Sequence, residues 1–113
     1  MASDCLFCRI VRKEIPAKIV AEDAHCVAFR DINPQAPVHV LVIPREHVAS
    51  LNDVKDGAVV GRMHTFAARI ARDEGLAERG YRTVINTNSE AGQTVFHIHL
   101  HVLGGRHMTW PPG

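Results

Sequence analysis

The sequence predicts an α+β fold, an antiparallel sheet of about five strands with one long helix and one or two short ones. Three observations support it. Short runs rich in β-branched residues alternate with turn signals along the chain. Only residues 57–74 have a sustained three- and four-residue apolar spacing. The connections between strands are of hairpin length, which favours antiparallel pairing. We expect the helices to cover one face of the sheet.

The first third of the chain predicts a short helix and two strands. Apolar residues in CLFCRIVRKE suit a short helix, which Pro16 ends because the residue before a proline avoids the helical region. The runs AKIVAED and HCVAFRD then predict two strands, separated by a turn at Glu22 and Asp23.

The middle of the chain predicts a buried strand and the long helix. NPQAP is a loop, because its two prolines fix φ and remove donors. VHVLVIP predicts a strand over residues 38–43, and Ser50 suits the cap of a short turn. The long helix covers residues 57–74, and Gly75 suits its end. Its apolar stripe consists of Val59, Met63, Phe66, Ala67 and Ile70.

The last third predicts two strands around a polar loop. YRTVIN is one strand, TNSEAGQ is the loop, and VFHIHLHVLGG is a long final strand. Successive side chains of a strand point to opposite faces. One face therefore carries His97, His99 and His101, whereas the other, packed under the helix, carries Ile98, Leu100 and Val102.

Composition limits the possible functions. We expect one domain over residues 1–113. A net charge of +1 gives no basic field for nucleic acid, and no apolar run is long enough to span a membrane. The N-terminus has no signal-peptide pattern. The odd set of three cysteines argues against a disulfide framework and for the cytoplasm.

Three histidines on one face have competing explanations. Two histidines at i and i+2 can bind one metal ion, and an imidazole can also act as a nucleophile or an acid–base group. The third possibility is exposed histidines without a role. It is disfavoured because three histidines on one face, beside a polar loop that contains glycine, would rarely occur by chance. The preceding loop favours anion chemistry, because Gly92 allows a close turn of the backbone and Thr94 offers a hydroxyl.

A family resemblance covers nearly the full chain. HIHLHVL matches the His-φ-His-φ-His-φ-φ signature of the histidine triad (HIT) superfamily, where φ is an apolar residue. RKEIPAKIV, DINPQAPVHVLVIP, GQTVFHIHLHVLGGR and the terminal WPPG resemble its nucleotide-binding branch. The resemblance implies a HIT-like fold that forms a homodimer with one larger continuous sheet.

The resemblance also implies an activity. Relatives hydrolyse purine nucleoside 5′-phosphoramidates and acyl-adenylates at the α-phosphorus and release the nucleoside monophosphate. By position, His99 would be the nucleophile that forms a covalent nucleotidyl-imidazole. His101 and His39 would bind or polarise the phosphate oxygens, and His97 would orient the site.

Further residues match substrate-binding positions of the family. Asp31 would bind the ribose hydroxyls, and Ile32 would line the base pocket. Trp110 belongs to a tail that crosses to the partner subunit's site in the family's dimer. Thr94 replaces the serine of many relatives; its hydroxyl remains but its rotamers are narrower. The residues that would hold the phosphate and the leaving group are Asn86, Gly92, Gln93 and Thr94.

The pair Cys5-Leu-Phe-Cys8 has four explanations. A redox motif lacks its usual βαβ context, a disulfide is disfavoured by compartment, and two unrelated core cysteines are plausible. Structural zinc is favoured, because thiolates three residues apart suit a tetrahedral site. Spacing alone does not supply the other ligands; the resemblance to bacterial zinc-containing members implies His47 and His97.

The sequence allows a leading hypothesis and two alternatives to it. The leading hypothesis is a nucleotidyl hydrolase that uses His99, with zinc as scaffold only and no cofactor needed for catalysis. In the first alternative, a zinc-activated water is held by His97, His99 and His101. In the second, the chain is a non-catalytic nucleotide-binding or dimeric interaction protein.

Overall fold

The chain forms a five-stranded antiparallel sheet, as the sequence predicts. The computed structural model describes residues 4–113. The strands are β1 (Ile19–Glu22), β2 (Cys26–Arg30), β3 (Val38–Pro44), β4 (Tyr81–Val84) and β5 (Leu100–Gly104). Their order across the sheet is β1-β2-β3-β5-β4, and every neighbouring pair is antiparallel.

The long helix, α2 (Ala58–Asp73), packs its apolar stripe on one face of the sheet. Its bounds confirm the prediction to within one residue at each end. Met63 and Ile70 are fully buried against strand residues such as Val42. Gly75, with φ of 77°, follows the helix in the left-handed conformation that glycine adopts without strain. No helix within residues 4–113 is long and apolar enough to cross a membrane.

The short helix, α1 (Leu6–Val11), lies on the opposite face, which differs from the expectation that the helices share one face. Side chains of β2 alternate between the faces, so Val27 and Phe29 point away from α2. Phe7 and Ile10 of α1 pack against them. A single apolar stripe does not tell which face a helix covers, and this part of the prediction was therefore wrong.

Strand β5 is shorter than predicted and begins at Leu100. The segment before it is irregular, because the Ile98 N–H donates to the Val48 carbonyl at 2.7 Å instead of to a neighbouring strand. The two-residue alternation nevertheless continues through the irregular segment. Ile98, Leu100 and Val102 all lie in the core beneath α2.

Candidate active site

A cavity of about 1040 Å³ lies on the α1 face of the sheet. Apolar side chains of α1 and β2 form one part of its wall, and three imidazoles form another. This combination of apolar wall and few polar groups is typical of small-molecule sites. The residues of the predicted site that line it are Asp31, Ile32, His39, Asn86, Gly92, Thr94, His99 and His101.

The protonation of His99 is fixed by the backbone. Its Nδ1 lies 2.9 Å from the carbonyl oxygen of His97. Because a carbonyl only accepts, Nδ1 must carry the proton. Burial lowers the pKa of His99, which favours the neutral ring. A neutral ring with its proton on Nδ1 has its lone pair on Nε2, so His99 presents a nucleophilic nitrogen in the cavity wall.

A second chain of hydrogen bonds fixes the other two imidazoles. The backbone N–H of Gln35 donates to Nδ1 of His39 at 3.0 Å, so this nitrogen has no proton. The neutral His39 ring, whose pKa burial lowers, then carries its proton on Nε2. That N–H donates to Nδ1 of His101 at 2.9 Å. The proton of His101 is consequently on Nε2, where it can be donated to an anion.

Asp31 is positioned by the turn that follows β2. Its Oδ1 accepts a hydrogen bond from the Asn33 N–H at 2.8 Å, and its own N–H donates to the His39 carbonyl at 3.0 Å. Its Oδ2 is 3.4 Å from His39 Nε2. Asp31, His39 and His101 are close enough to surround a cation. A cation on His39 Nε2 would move the ring proton to Nδ1, facing the Gln35 N–H, so this trio favours hydrogen bonding over metal binding.

A second cluster lies beside the cavity. One ligand atom from each of its four residues lies within 4.8 Å of the others. The Sγ–Nδ1 distances are 3.4 and 3.5 Å to His97 and 3.2 Å to His47. Zinc with ordinary bond lengths and tetrahedral angles separates sulfur and nitrogen ligands by about 3.6 Å. The cluster can therefore hold a metal ion on Cys5, Cys8, His47 and His97.

The surroundings of His97 suit a metal ligand. Its Nε2–H donates to the Pro44 carbonyl at 2.8 Å, which leaves the Nδ1 lone pair directed at the thiols. Burial lowers its pKa to about 4, so the ring is neutral. Burial also raises the pKa of the Cys8 thiol to about 11, so its thiolate needs a cation. His97 does not line the cavity, and its hydrogen bond with His99 is made by its backbone carbonyl and not by its ring.

The loop before the histidines is held by Gln93, which differs from its predicted contact with substrate. The side chain is buried, with an exposed fraction of 5%. Its Oε1 accepts from the Asn88 N–H at 2.9 Å, and its Nε2 donates to the carbonyls of Ala49 and Val95 at 2.8 and 3.2 Å. Since both hydrogens of its Nε2 and its backbone N–H are donated to carbonyls, Gln93 positions the loop that carries Gly92 and has no free N–H for a phosphate oxygen.

Comparisons with known proteins place this geometry in a family. A family model described as the HIT domain matches residues 12–108. The chain belongs to the HIT family. An uncharacterised HIT-like protein of Synechococcus elongatus is 53% identical over the full length of both chains. A purine nucleoside phosphoramidase of Escherichia coli is 52% identical over 94% of this chain and 91% of its own.

Solved structures support the same assignment. The crystal structure of a HIT family hydrolase from Legionella pneumophila superposes with a TM-score of 0.95. It is 55% identical, over 97% of this chain and all of that one. The expected HIT membership and fold are thus confirmed.

Trp110 of this HIT chain does not line the cavity. Its side chain is 80% exposed, and the Arg82 guanidinium lies 5.9 Å from the ring centroid. The location is compatible with a contact to another subunit. Its role at a partner's site stays a prediction.

Two contacts that shape the HIT site have little or no signal in the sequence. Phe7 lines the cavity and contacts His99 edge-to-face, with 5.1 Å between the ring centroids. Its only signal is its place between the two cysteines. Gln35 acts through its backbone N–H on His39, and a backbone donor leaves no trace in residue type.

Proposed function

We propose that this chain hydrolyses purine nucleoside 5′-phosphoramidates and acyl-adenylates at the α-phosphorus. The Escherichia coli relative, named for the first of these activities, supports the substrate class. The observation that carries the proposal is the 2.9 Å hydrogen bond from His99 Nδ1 to the His97 carbonyl, because it makes Nε2 the reactive atom.

In the first step, the lone pair of His99 Nε2 attacks the α-phosphorus. A phosphorus–nitrogen bond to the imidazole forms while the bond from phosphorus to the leaving amine breaks. The amine keeps that electron pair and takes one proton, for which the Thr94 hydroxyl and solvent are the candidate donors. The His99 ring becomes a nucleotidyl-imidazolium, and its positive charge is stabilised by the Nδ1–H bond to the carbonyl.

In the second step, water attacks the same phosphorus. A phosphorus–oxygen bond forms, the bond to Nε2 breaks, and the imidazole recovers its lone pair. One proton of the water is released and the other remains on the new oxygen until it ionises. From a phosphoramidate the products are the amine and the nucleoside monophosphate. From an acyl-adenylate the carboxylate leaves in the first step with the electron pair of its bond to phosphorus and takes no proton, and the second step is the same. Because each step is a single displacement, neither needs a strong base.

The rest of the cavity would bind the nucleotide and its developing charge. The Nε2–H of His101 would donate to a non-bridging oxygen, with its tautomer set by His39. Asp31 Oδ2 would accept hydrogen bonds from the ribose hydroxyls. Ile32 lines the cavity with its side chain fully accessible, and it would pack against the base. The phosphate and leaving group would contact the remaining lining residues of the loops, Asn86, Gly92 and Thr94.

We further propose that the Cys5, Cys8, His47 and His97 cluster holds a structural zinc ion. The sulfur–nitrogen distances and the Pro44 acceptor behind His97 support this choice. When bound, the ion supplies a cross-link between α1, the segment after β3 and the backbone that fixes His99. No step of the reaction uses it. The thiolate ligands favour a reducing compartment such as the cytoplasm.

We also propose that the chain forms a homodimer. The exposed Trp110 at the end of the chain would reach the cavity of the partner subunit, as the family resemblance implies. An exposed tryptophan on a proline-containing tail supports an interface role. Sedimentation of the chain, with Trp110→Ala as a variant of weaker self-association, tests this.

Turnover of adenosine 5′-phosphoramidate by His99→Ala tests the activity. The variant should lose at least about a thousandfold in kcat, as for other nucleophiles, while its circular dichroism is unchanged. His64→Ala is the matched control, since His64 is exposed and its Nδ1 bonds to the Val60 carbonyl of its own helix. Mass spectrometry of the enzyme quenched during turnover should show one nucleotidyl group on His99.

Other results would favour the alternatives. Tight nucleotide binding without turnover would support a non-catalytic protein. Turnover abolished by chelation, in a folded enzyme without adduct, would support a zinc-bound water. The described residues disfavour that second case, because His97 belongs to the cysteine cluster whereas His99 and His101 face the cavity.

A further inference from the structure

Helix α1 belongs to both the metal cluster and the cavity. Cys5, at its N-cap, and Cys8 in its first turn contribute two of the four metal-binding groups. The residues between and after them, Leu6, Phe7 and Ile10, line the cavity. The same turn of helix therefore presents thiols to one site and an apolar wall to the other.

The ring of Phe7 forms the contact between these sites. Its edge-to-face contacts join the buried imidazole of His97, at 6.1 Å between centroids, and that of His99, at 5.1 Å. It also packs on Phe29 of β2 at 5.4 Å. A movement of Phe7 would change the surroundings of the nucleophile and the shape of the cavity together.

The position of α1 depends on its anchors. With six residues, the helix is far shorter than the roughly 12 residues needed for even marginal stability alone. Its anchors are the buried side chains Phe7 and Ile10 and the two cysteines, one of which also caps the helix by accepting the Cys8 N–H at 3.4 Å. A metal ion on both thiols would fix the helix at its start.

We propose that metal binding at the cysteine cluster and nucleotide binding in the cavity are thermodynamically coupled through Phe7, which acts as a positioning residue. The inference rests on the proposed function of both sites. Loss of the metal frees the start of α1, and the apolar wall of the cavity loses its fixed position. The nucleotide then binds more weakly, by about tenfold, which lies in the usual range for coupled sites.

The coupling must act in both directions, and this gives the test. AMP should bind the zinc-loaded protein about tenfold more tightly than the zinc-free protein by calorimetry. Saturating AMP should raise the zinc affinity by the same factor, measured by competition with a chromogenic chelator. The second measurement uses the loaded protein and requires no variant. Equal AMP affinity in both forms, or a zinc affinity independent of AMP, would overturn the proposal.

Variants on the same helix assign the coupling to Phe7. In Phe7→Leu, the ratio of the zinc affinity with AMP to the zinc affinity without AMP should fall from about ten toward one. Arg9→Ala is the matched control, because Arg9 is exposed on α1 and does not line the cavity, and it should keep the full response. An unchanged ratio of zinc affinities in Phe7→Leu, or loss of this ratio in Arg9→Ala, would contradict the assignment of the coupling to Phe7.

Hydrogen exchange separates local coupling from global unfolding. Zinc removal should speed exchange of the amides of α1 while those of α2 stay protected. Equal deprotection of both helices would contradict a local mechanism. Failure of AMP to bind the zinc-loaded protein would overturn both the proposed nucleotide function and this inference. An AMP affinity that does not depend on zinc would overturn this inference alone.

Discussion

Replacement of Gln93 by methionine should strongly destabilise the protein, although the two side chains have similar volumes. The Gln93 amide makes three hydrogen bonds to backbone groups, at 2.9, 2.8 and 3.2 Å. In Gln93→Met, one N–H and two carbonyls lose these partners. At about 1 kcal/mol for each bond, the free energy of unfolding should fall by roughly 2–4 kcal/mol.

Urea unfolding, followed by circular dichroism at one fixed protein concentration, measures this change. With a denaturant slope of about 1.5 kcal/mol per M, a loss of 3 kcal/mol lowers the midpoint by about 2 M. Gln35→Met is a matched control of the same chemistry. The Gln35 side chain is exposed and donates one bond to the Asn33 carbonyl, so its loss should stay within about 0.5 kcal/mol. A loss below about 1 kcal/mol in Gln93→Met, or equal losses in the two variants, would refute the reasoning.

Four further changes are expected to alter the free energy of unfolding. In Gly104→Ala the added Cβ would lie 2.5 Å from a side-chain carbon of the buried Leu76, and the free energy of unfolding in urea should fall by about 1–3 kcal/mol. Gly61 of α2 has open space around it, so Gly61→Ala should raise the free energy of unfolding by up to about 1 kcal/mol. Lys13 adopts φ of 62°, which costs a residue other than glycine about 1 kcal/mol. Its ion pair with Glu22, at 2.7 Å, is exposed and contributes less. Lys13→Gly should therefore raise the melting temperature, and an unchanged or lower value would contradict this. Burial lowers the pKa of His101 to about 4, below its unfolded value near 6.5. Between these values the unfolded state binds more protons, so the stability that the neutral His101 ring contributes is complete above pH 6.5 and is lost toward pH 4. His101→Asn should therefore flatten part of the fall in a pH series of urea melts, and an unchanged slope would contradict this.

The sequence predicts most of the fold because its strongest patterns are local. The apolar stripe of α2 and the β-branched run of β3 each define an element without reference to the rest of the chain. The alternation around His99 likewise places the aliphatic residues under α2. The face covered by α1 was not predictable, because it depends on which side of β2 is left open by α2.

The residues of the candidate site are predictable in part, and their contacts are not. The histidine pattern and the resemblance select eight residues that line the cavity, but not the apolar wall that includes Phe7. The roles of Gln93 and Gln35 depend on hydrogen bonds of backbone groups. One partner of the Gln93 side chain is the Ala49 carbonyl, which is 44 residues away in sequence. The late start of β5 has the same origin, since distant carbonyls at Pro44 and Val48 bind the segment before it.

Nitrogen NMR of the side chain of His99 tests the proposed chemistry most directly. In the free protein near neutral pH, its ring should be neutral, with the proton on Nδ1 and a bare Nε2, because the His97 carbonyl accepts the Nδ1–H. During turnover, the Nε2 resonance should acquire coupling to phosphorus while Nδ1 keeps its proton. A ring protonated on Nε2, or a phosphorus coupling on another histidine, would contradict the assignment of His99 as the nucleophile.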